Sequence, residues 1–392
     1  MRHIDNHERR ARLAVRHRLA DGTQADDVVE VARDLVALHS TDPATVMLSA
    51  LARMRGGNIA AVEDALYEQR SLVRLLGMRR TMFVVPTELV GVVLASSACA
   101  LLPGERRKTV GWIEESEVAP DGEVWLKAVE EETLAALQAR GQATAAELSA
   151  DVSGLGAQIV VARGSRNEGR QRLSTRVLFL LAAEGRIMRG RPVGSWISSQ
   201  YRWAPVEAWL PDGVADPPAE AAQAELVRRW LARFGPGTEA DVKWWTGWTL
   251  TAARKALANV GATEVALDGG MTGYVLPDDL DEVATPEPWA ALLPGLDPTP
   301  MGWMQRDWYL GEHKARLFDT TGNVGPTVWW GGRIVGGWAQ RADGEVVWRL
   351  LDDVGTDGAR AVEAEAGRLT PMLGGTRVTP RFRTPLEREL VA

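Results

Sequence analysis

An α+β fold is predicted for this chain, from two observations. One order of elements recurs: a helix, a capped short helix, a further helix and a β pair, clear in two copies and looser in an N-terminal third. Residues 285–392 instead carry Gly, Trp and short apolar runs spaced about ten residues apart. The recurring order is that of a winged helix, so three tandem winged-helix units are expected. The C-terminal spacing suits a small β-barrel. At roughly 150 residues per domain, 392 residues suffice for two or three domains. The expected boundaries are 1–100, 101–212 and 213–284 for the units, then 285–392 for the barrel.

In the first unit, residues 26–38 place Val28, Val29, Ala32, Leu35 and Val36 at helical spacing. Asp42 followed by Pro43 is a helix start, an N-cap with Pro at the first helical position. Helices through Arg53 and Glu68 follow. Residues 72–76 and 81–85 are β-rich, joined at Gly77-Met78-Arg79-Arg80. The second unit opens with a long helix near residues 123–140. Thr144 and Glu147 then have the spacing of a capping box. A third helix is predicted from about Arg170 to Ala183. Residues 186–192 read as a strand and basic wing, and residues 195–203 as the closing strand. The third unit repeats this: helix at 219–234, a Gly235-Pro236-Gly237 break, and Thr238 with the same cap spacing. A helix at 249–260 and a hairpin from 264–267 and 273–276 complete it. A Pro/Asp-rich stretch, 278–288, leads to short strands near Val328, Ile334, Trp338 and Val347, then a helix at 359–369.

Composition excludes several classes. A single cysteine, Cys99, rules out a disulfide framework and a cysteine-based zinc site. His3, His7, His17, His39 and His313 lack the spacing of a histidine metal motif, so no metal or cofactor is expected. The N-terminus has no apolar signal region, and no run approaches the roughly 18 to 20 apolar residues of a bilayer span. A cytoplasmic monomer with no membrane partner is the expectation. The net charge of -7 argues mildly against nucleic acid, but it hides an asymmetry. Between Val161 and Trp203 nine arginines face two acids, and residues 1–20 hold six arginines against Asp5 and Glu8. Local charge decides where a polyanion sits.

Four motifs occur in order: Leu38-His39-Ser40-Thr41-Asp42-Pro43, Arg79-Arg80-Thr81-Met82-Phe83-Val84-Val85-Pro86, Ala240-Asp241-Val242-Lys243-Trp244-Trp245-Thr246-Gly247 and Leu292-Leu293-Pro294-Gly295-Leu296-Asp297-Pro298. With them, residues 10–390 resemble the winged-helix DNA-binding family that contains the AlkZ and YcaQ-like DNA glycosylases. The resemblance implies a C-shaped clamp of tandem winged helices with a C-terminal β-barrel. It implies cleavage of the N-glycosidic bond of alkylated bases and unhooking of interstrand crosslinks. It also implies double-stranded, damaged DNA as partner. The family's catalytic motif is Gln-Φ-Gln or Gln-Φ-Asp before an acidic residue. Aligned at the Asp-Pro step, its glutamine positions hold His39 and Thr41, Φ is Ser40, and the acid is Asp42.

His39, Thr41 and Asp42 are therefore the candidate catalytic residues for a monofunctional glycosylase. An alkylated purine is already a cationic leaving group, so the work left is to stabilise an oxocarbenium-like sugar and orient a water. A carboxylate such as Asp42 does the first electrostatically. An imidazole titrating near neutrality can hold or deprotonate the water, and a threonine hydroxyl can position it. A structural reading stands beside this one: Asp42 as N-cap, Ser40 and Thr41 as turn residues, and His39 bonded to a helix-end carbonyl. For phosphate binding the candidates are Arg166, Arg170 and Arg172 on the predicted helix, Arg186, Arg189 and Arg191 on the wing, and Arg79 and Arg80 at the hairpin turn. The alternative for these is a solvated cationic face. The rival function is non-catalytic DNA binding, as a regulator or a protector of damaged DNA; a third is an inactive relative that sequesters a DNA-targeting toxin.

Overall fold

The computed structural model describes residues 1–166 and 168–392. Its short helices begin where a side chain satisfies the first free N–H groups. Asp42 caps Pro43–Leu51, Thr144 caps Ala145–Asp151 and Thr238 caps Glu239–Thr246. At the last two, Glu147 and Asp241 return the bond and close capping boxes.

Just ahead of each of these helices, a short stretch pairs antiparallel with its unit's last strand. Leu38–His39 pairs with Met82–Pro86, which pairs with Leu72–Leu76. Ala143–Thr144 pairs with Tyr201–Pro205, which pairs with Ile187–Pro192. In the third unit Gly237 bridges Tyr274 on Met271–Val275, which pairs with Thr263–Leu267. His3–Ile4 adds to Thr263–Leu267 in parallel, so the N-terminus joins the third unit's sheet. Helix, short strand or single bridge, two helices and two strands thus recur three times in a mixed α+β fold, with an extra hairpin between the two helices of the second unit.

Two expectations are corrected here. Residues 170–172 are not helical: Gln158–Val161 and Gly169–Arg172 form an antiparallel hairpin, and the helix is only Ser174–Ala183. Gly169-Arg170-Gln171-Arg172 alternates with period two, which puts both arginines on one exposed face. Nor do residues 285–392 close into a barrel. Ala290–Leu293, Thr327–Trp330, Arg333–Gln340 and Val346–Leu350 form an open antiparallel sheet in that order, its outer strands unpaired with each other. Both faces are covered instead. Leu292, Val328, Val335 and Trp338 pack with Val362 and Leu369 of the helix Gly355–Met372. Leu293, Trp329, Ile334 and Ala339 join the main core, which includes Leu386 of the helix Pro385–Val391. A sheet buried on both faces has no interior to enclose.

The first and third units and this sheet share one core, while the second unit has its own around Leu126, Leu148, Val177 and Leu181. The helical run Thr87–Glu115 is long and apolar enough to cross a membrane by length and composition only, a test that a buried core helix also passes. Half of its apolar stretch is buried, with Leu89, Val90, Val93 and Leu94 in the shared core. Much of the N-terminal arginine excess is internal too. Arg12 is buried in ion pairs with Glu8 and Asp279, both at 2.9 Å, and Arg9 is buried under Trp308.

Candidate active site and nucleic-acid interface

A fully buried ion pair fixes the helix that carries the candidate motif. Arg53, just beyond Pro43–Leu51, meets Asp297 in bidentate fashion at 2.7 and 2.9 Å, with both side chains fully buried. Ser49 donates to the same carboxylate at 2.6 Å, and Thr45 donates to the Gly295 carbonyl at 2.6 Å. The first and fourth sequence motifs are therefore one packed interface.

The second and third motifs also meet. Arg79 and Arg80 both adopt left-handed backbone, with φ of 54° and 59°. Gly247 lies against this turn, and a Cβ there would sit 3.2 Å from the Arg79 Cα. Arg79 is not a free hairpin tip. Its guanidinium stacks 4.2 Å from the Trp244 ring, and Arg306 stacks on the same ring at 4.6 Å. Burial and the Arg306 charge lower the Arg79 pKa to about 10, so it stays cationic at neutral pH. Arg80 is exposed and reaches Glu105 at 3.4 Å.

His39, Thr41 and Asp42 share one turn but face different ways. His39 is buried edge-on to Phe83, and its Nδ1 accepts from the Thr41 N–H at 3.4 Å. Burial, assisted by the Arg79 charge, lowers its pKa to about 3. It is thus a neutral ring, not one titrating near neutrality, and a feeble base for water. The Asp42 carboxylate accepts from the Ala44 N–H at 3.1 Å and from the Arg381 N–H at 2.9 Å. Burial raises its pKa, against the pull of those two N–H groups. It borders a narrow crevice beside Thr45 and Gly295. Thr41 alone of the three lines a cleft between the first two units, and its Oγ1 finds no partner among the described residues.

That cleft, about 470 Å³, lies between the first unit's β pair and the helix Ser174–Ala183. Its walls are apolar, from Leu76, Met82, Phe179 and Trp203, and four arginines line it: Arg80 and Arg176, which reach Glu105, and Arg74 and Arg189, which have no ion-pair partner among the described residues. Arg74 was not singled out by sequence, because a lone arginine inside the run Leu72–Leu76 reads as a strand residue. Arg166, Arg170, Arg172 and Arg186 are exposed, and no ion pair holds them among the described residues. Arg191 is engaged, with Glu63 and Glu68 each at 2.9 Å and Tyr67 beneath it.

The burial of His39 carries a pH prediction. In the unfolded chain its ring binds a proton near pH 6.5, whereas in the fold it does so only near 3. Stability is unaffected above pH 6.5 and is lost progressively as pH falls below it. His17, whose pKa burial also lowers, acts in the same direction. The urea midpoint should be lower at pH 5 than at pH 7, and His39→Asn should shrink that gap. An equal gap in both proteins would count against this.

Residues 32–372 match the family model described as DNA glycosylase AlkZ-like. A Streptomyces sahachiroi protein named interstrand DNA cross-link repair glycosylase is 28% identical over 175 residues, which is 42% of this chain and 47% of that protein. The match thus spans about half of that relative. The solved structure of the Streptomyces sahachiroi DNA glycosylase AlkZ superposes with a TM-score of 0.72 at 21% identity, covering 96% of this chain and 98% of the other.

Proposed function

This chain belongs to the AlkZ-like DNA glycosylase family, and on that premise we propose that it hydrolyses the N-glycosidic bond of alkylated purines in double-stranded DNA, as a monofunctional, monomeric enzyme. Bulky adducts and crosslinks fall within this reading. The carrying observation is Thr41: it lines the arginine-bearing cleft, its buried hydroxyl has no hydrogen-bond partner among the described residues, and the next residue is a buried carboxylate. The connectivity that occurs three times favours three winged helices arranged as a clamp about DNA.

In this mechanism the C1′–N bond breaks with its electron pair passing to the cationic base. Asp42 stabilises the positive sugar through space. Water adds to C1′, oriented by Thr41, and releases its proton to solvent. His39 takes no proton; it accepts the Thr41 N–H and so fixes the turn. The test is duplex DNA carrying one 7-methylguanine, incubated with the protein and then treated with alkali. Strand cleavage at the lesion is the expected result. Tight binding with no cleavage, for this lesion and for bulky adducts alike, would leave the non-catalytic reading. That reading has one observation in its favour: both Asp42 oxygens already accept backbone N–H groups, as a purely structural cap would.

The duplex is held at its phosphates by the exposed arginines of the hairpin and wing. Replacing Arg166, Arg170 and Arg172 together by glutamine should lower the slope of log affinity against log salt by about 0.9 for each phosphate left without its arginine. Arg191→Gln should barely change it, because Glu63 and Glu68 already neutralise that charge. Titrations at several salt concentrations check both. An unchanged slope in the triple variant would remove the hairpin from the interface.

A further inference from the structure

Tyr201 lies against two cations that have no ion-pair partner among the described residues. Its ring is 4.7 Å from the Arg74 guanidinium and 5.5 Å from that of Arg189, and Arg189 also lies 5.1 Å from Trp203. Tyr201 is 8% exposed and Arg74 is 3% exposed. The Tyr201 hydroxyl and the Nε atoms of Arg74 and Arg189 have no hydrogen-bond partner among the described residues, and neither has Thr41 Oγ1 nearby. Among the described residues Arg74 donates to the hydroxyls of Ser40 and, at 3.4 Å, Tyr67. The cleft's other arginines differ: Arg176 and Arg80 both reach Glu105. Arg381 adds positive charge near Arg189, and Asp42, whose charge is felt at Tyr201, already accepts two N–H groups.

Two guanidiniums held against one ring without an ion-pair partner are costly in the free protein. Every unpartnered atom of the trio can donate: two Nε–H groups and one phenol O–H. A ligand that only accepts, carries one negative charge and presents several oxygens would satisfy all three. We propose that Arg74, Tyr201 and Arg189 form a binding site for one phosphodiester of the DNA strand, that of the nucleotide whose base is removed. The choice of that nucleotide rests on the glycosylase reading. The trio adjoins Thr41 through Ser40, and both arginines line the same cleft as Thr41, so a phosphate held there places its own sugar at the turn. The site is separate from the exposed hairpin arginines, which meet the duplex farther along.

The experiment is a scan of single methylphosphonates, each removing one phosphate charge, through a duplex carrying a tetrahydrofuran abasic analogue. Affinities are measured for wild type, Arg189→Gln and Tyr201→Phe. One position flanking the analogue should weaken wild type about tenfold or more, the size of one charge-assisted hydrogen bond. Arg189→Gln and Tyr201→Phe should bind the unmodified duplex more weakly and lose little further at that position. Tyr201→Phe keeps the ring and removes a hydroxyl without a partner, so its melting temperature should not fall. A drop in melting temperature with affinity unchanged would make the residue merely structural. Variants as sensitive as wild type at every position overturn the site and leave the glycosylase reading standing. A wild type that releases no base from 7-methylguanine or bulky-adduct duplexes overturns that reading, whatever the scan shows.

Discussion

Asp297→Asn should be the most destabilising single change in the molecule, by about 3–5 kcal/mol, because it leaves a fully buried guanidinium without its counter-charge. Arg53 and Asp297 are both fully buried, and the carboxylate also accepts from Ser49 and from the Thr299 N–H at 2.9 Å. An asparagine can accept at one oxygen, but its amide turns two donors toward groups that themselves donate. The loss would be felt at the site, since this pair anchors the end of the helix Pro43–Leu51. Replacing both charges, Arg53→Met with Asp297→Leu, should cost less than Asp297→Asn alone, because desolvation falls on neither partner. Denaturant midpoints of the three variants decide it. A loss under about 1 kcal/mol in Asp297→Asn would put the pair in the range of exposed ion pairs and refute the expectation.

Asp42→Asn should lower base release by about 10²–10³-fold, the size of losing one preorganised electrostatic stabiliser of a transition state. The fold should persist, because asparagine is as good an N-cap as aspartate. The amide must still turn its NH₂ toward either the Ala44 or the Arg381 N–H, at a cost of about 1 kcal/mol. Asp42→Ser separates the two roles: it caps as well as aspartate and carries no charge. If charge is what matters, both variants lose base release while their DNA affinity holds. Wild-type release from either variant would reduce Asp42 to a cap and move the chemistry elsewhere in the cleft.

The sequence alone determined the local starts and stops. Asp42-Pro43, Thr144 with Glu147 and Thr238 with Asp241 specify helix starts within four residues, through bonds the chain makes with itself, and all three stand in the structure. The repeated order of elements was legible for the same reason, as were the four motifs and the residues at the turn. The helix expected at Arg170 was misread because helical and alternating patterns overlap in a short basic run; pairing with Gln158–Val161 decided it. Only the tertiary structure could open the expected barrel, since helices from beyond the strands cover both faces of that sheet. It also turned Arg79 from a free tip into a stack on Trp244, paired Arg191 with Glu63 and Glu68, and made His39 a neutral buried ring. Most of all, it brought Arg74, Tyr201 and Arg189 beside Thr41 across two units. Burial and pairing between distant segments set charge and reach, and neither is written in the spacing of neighbouring residues.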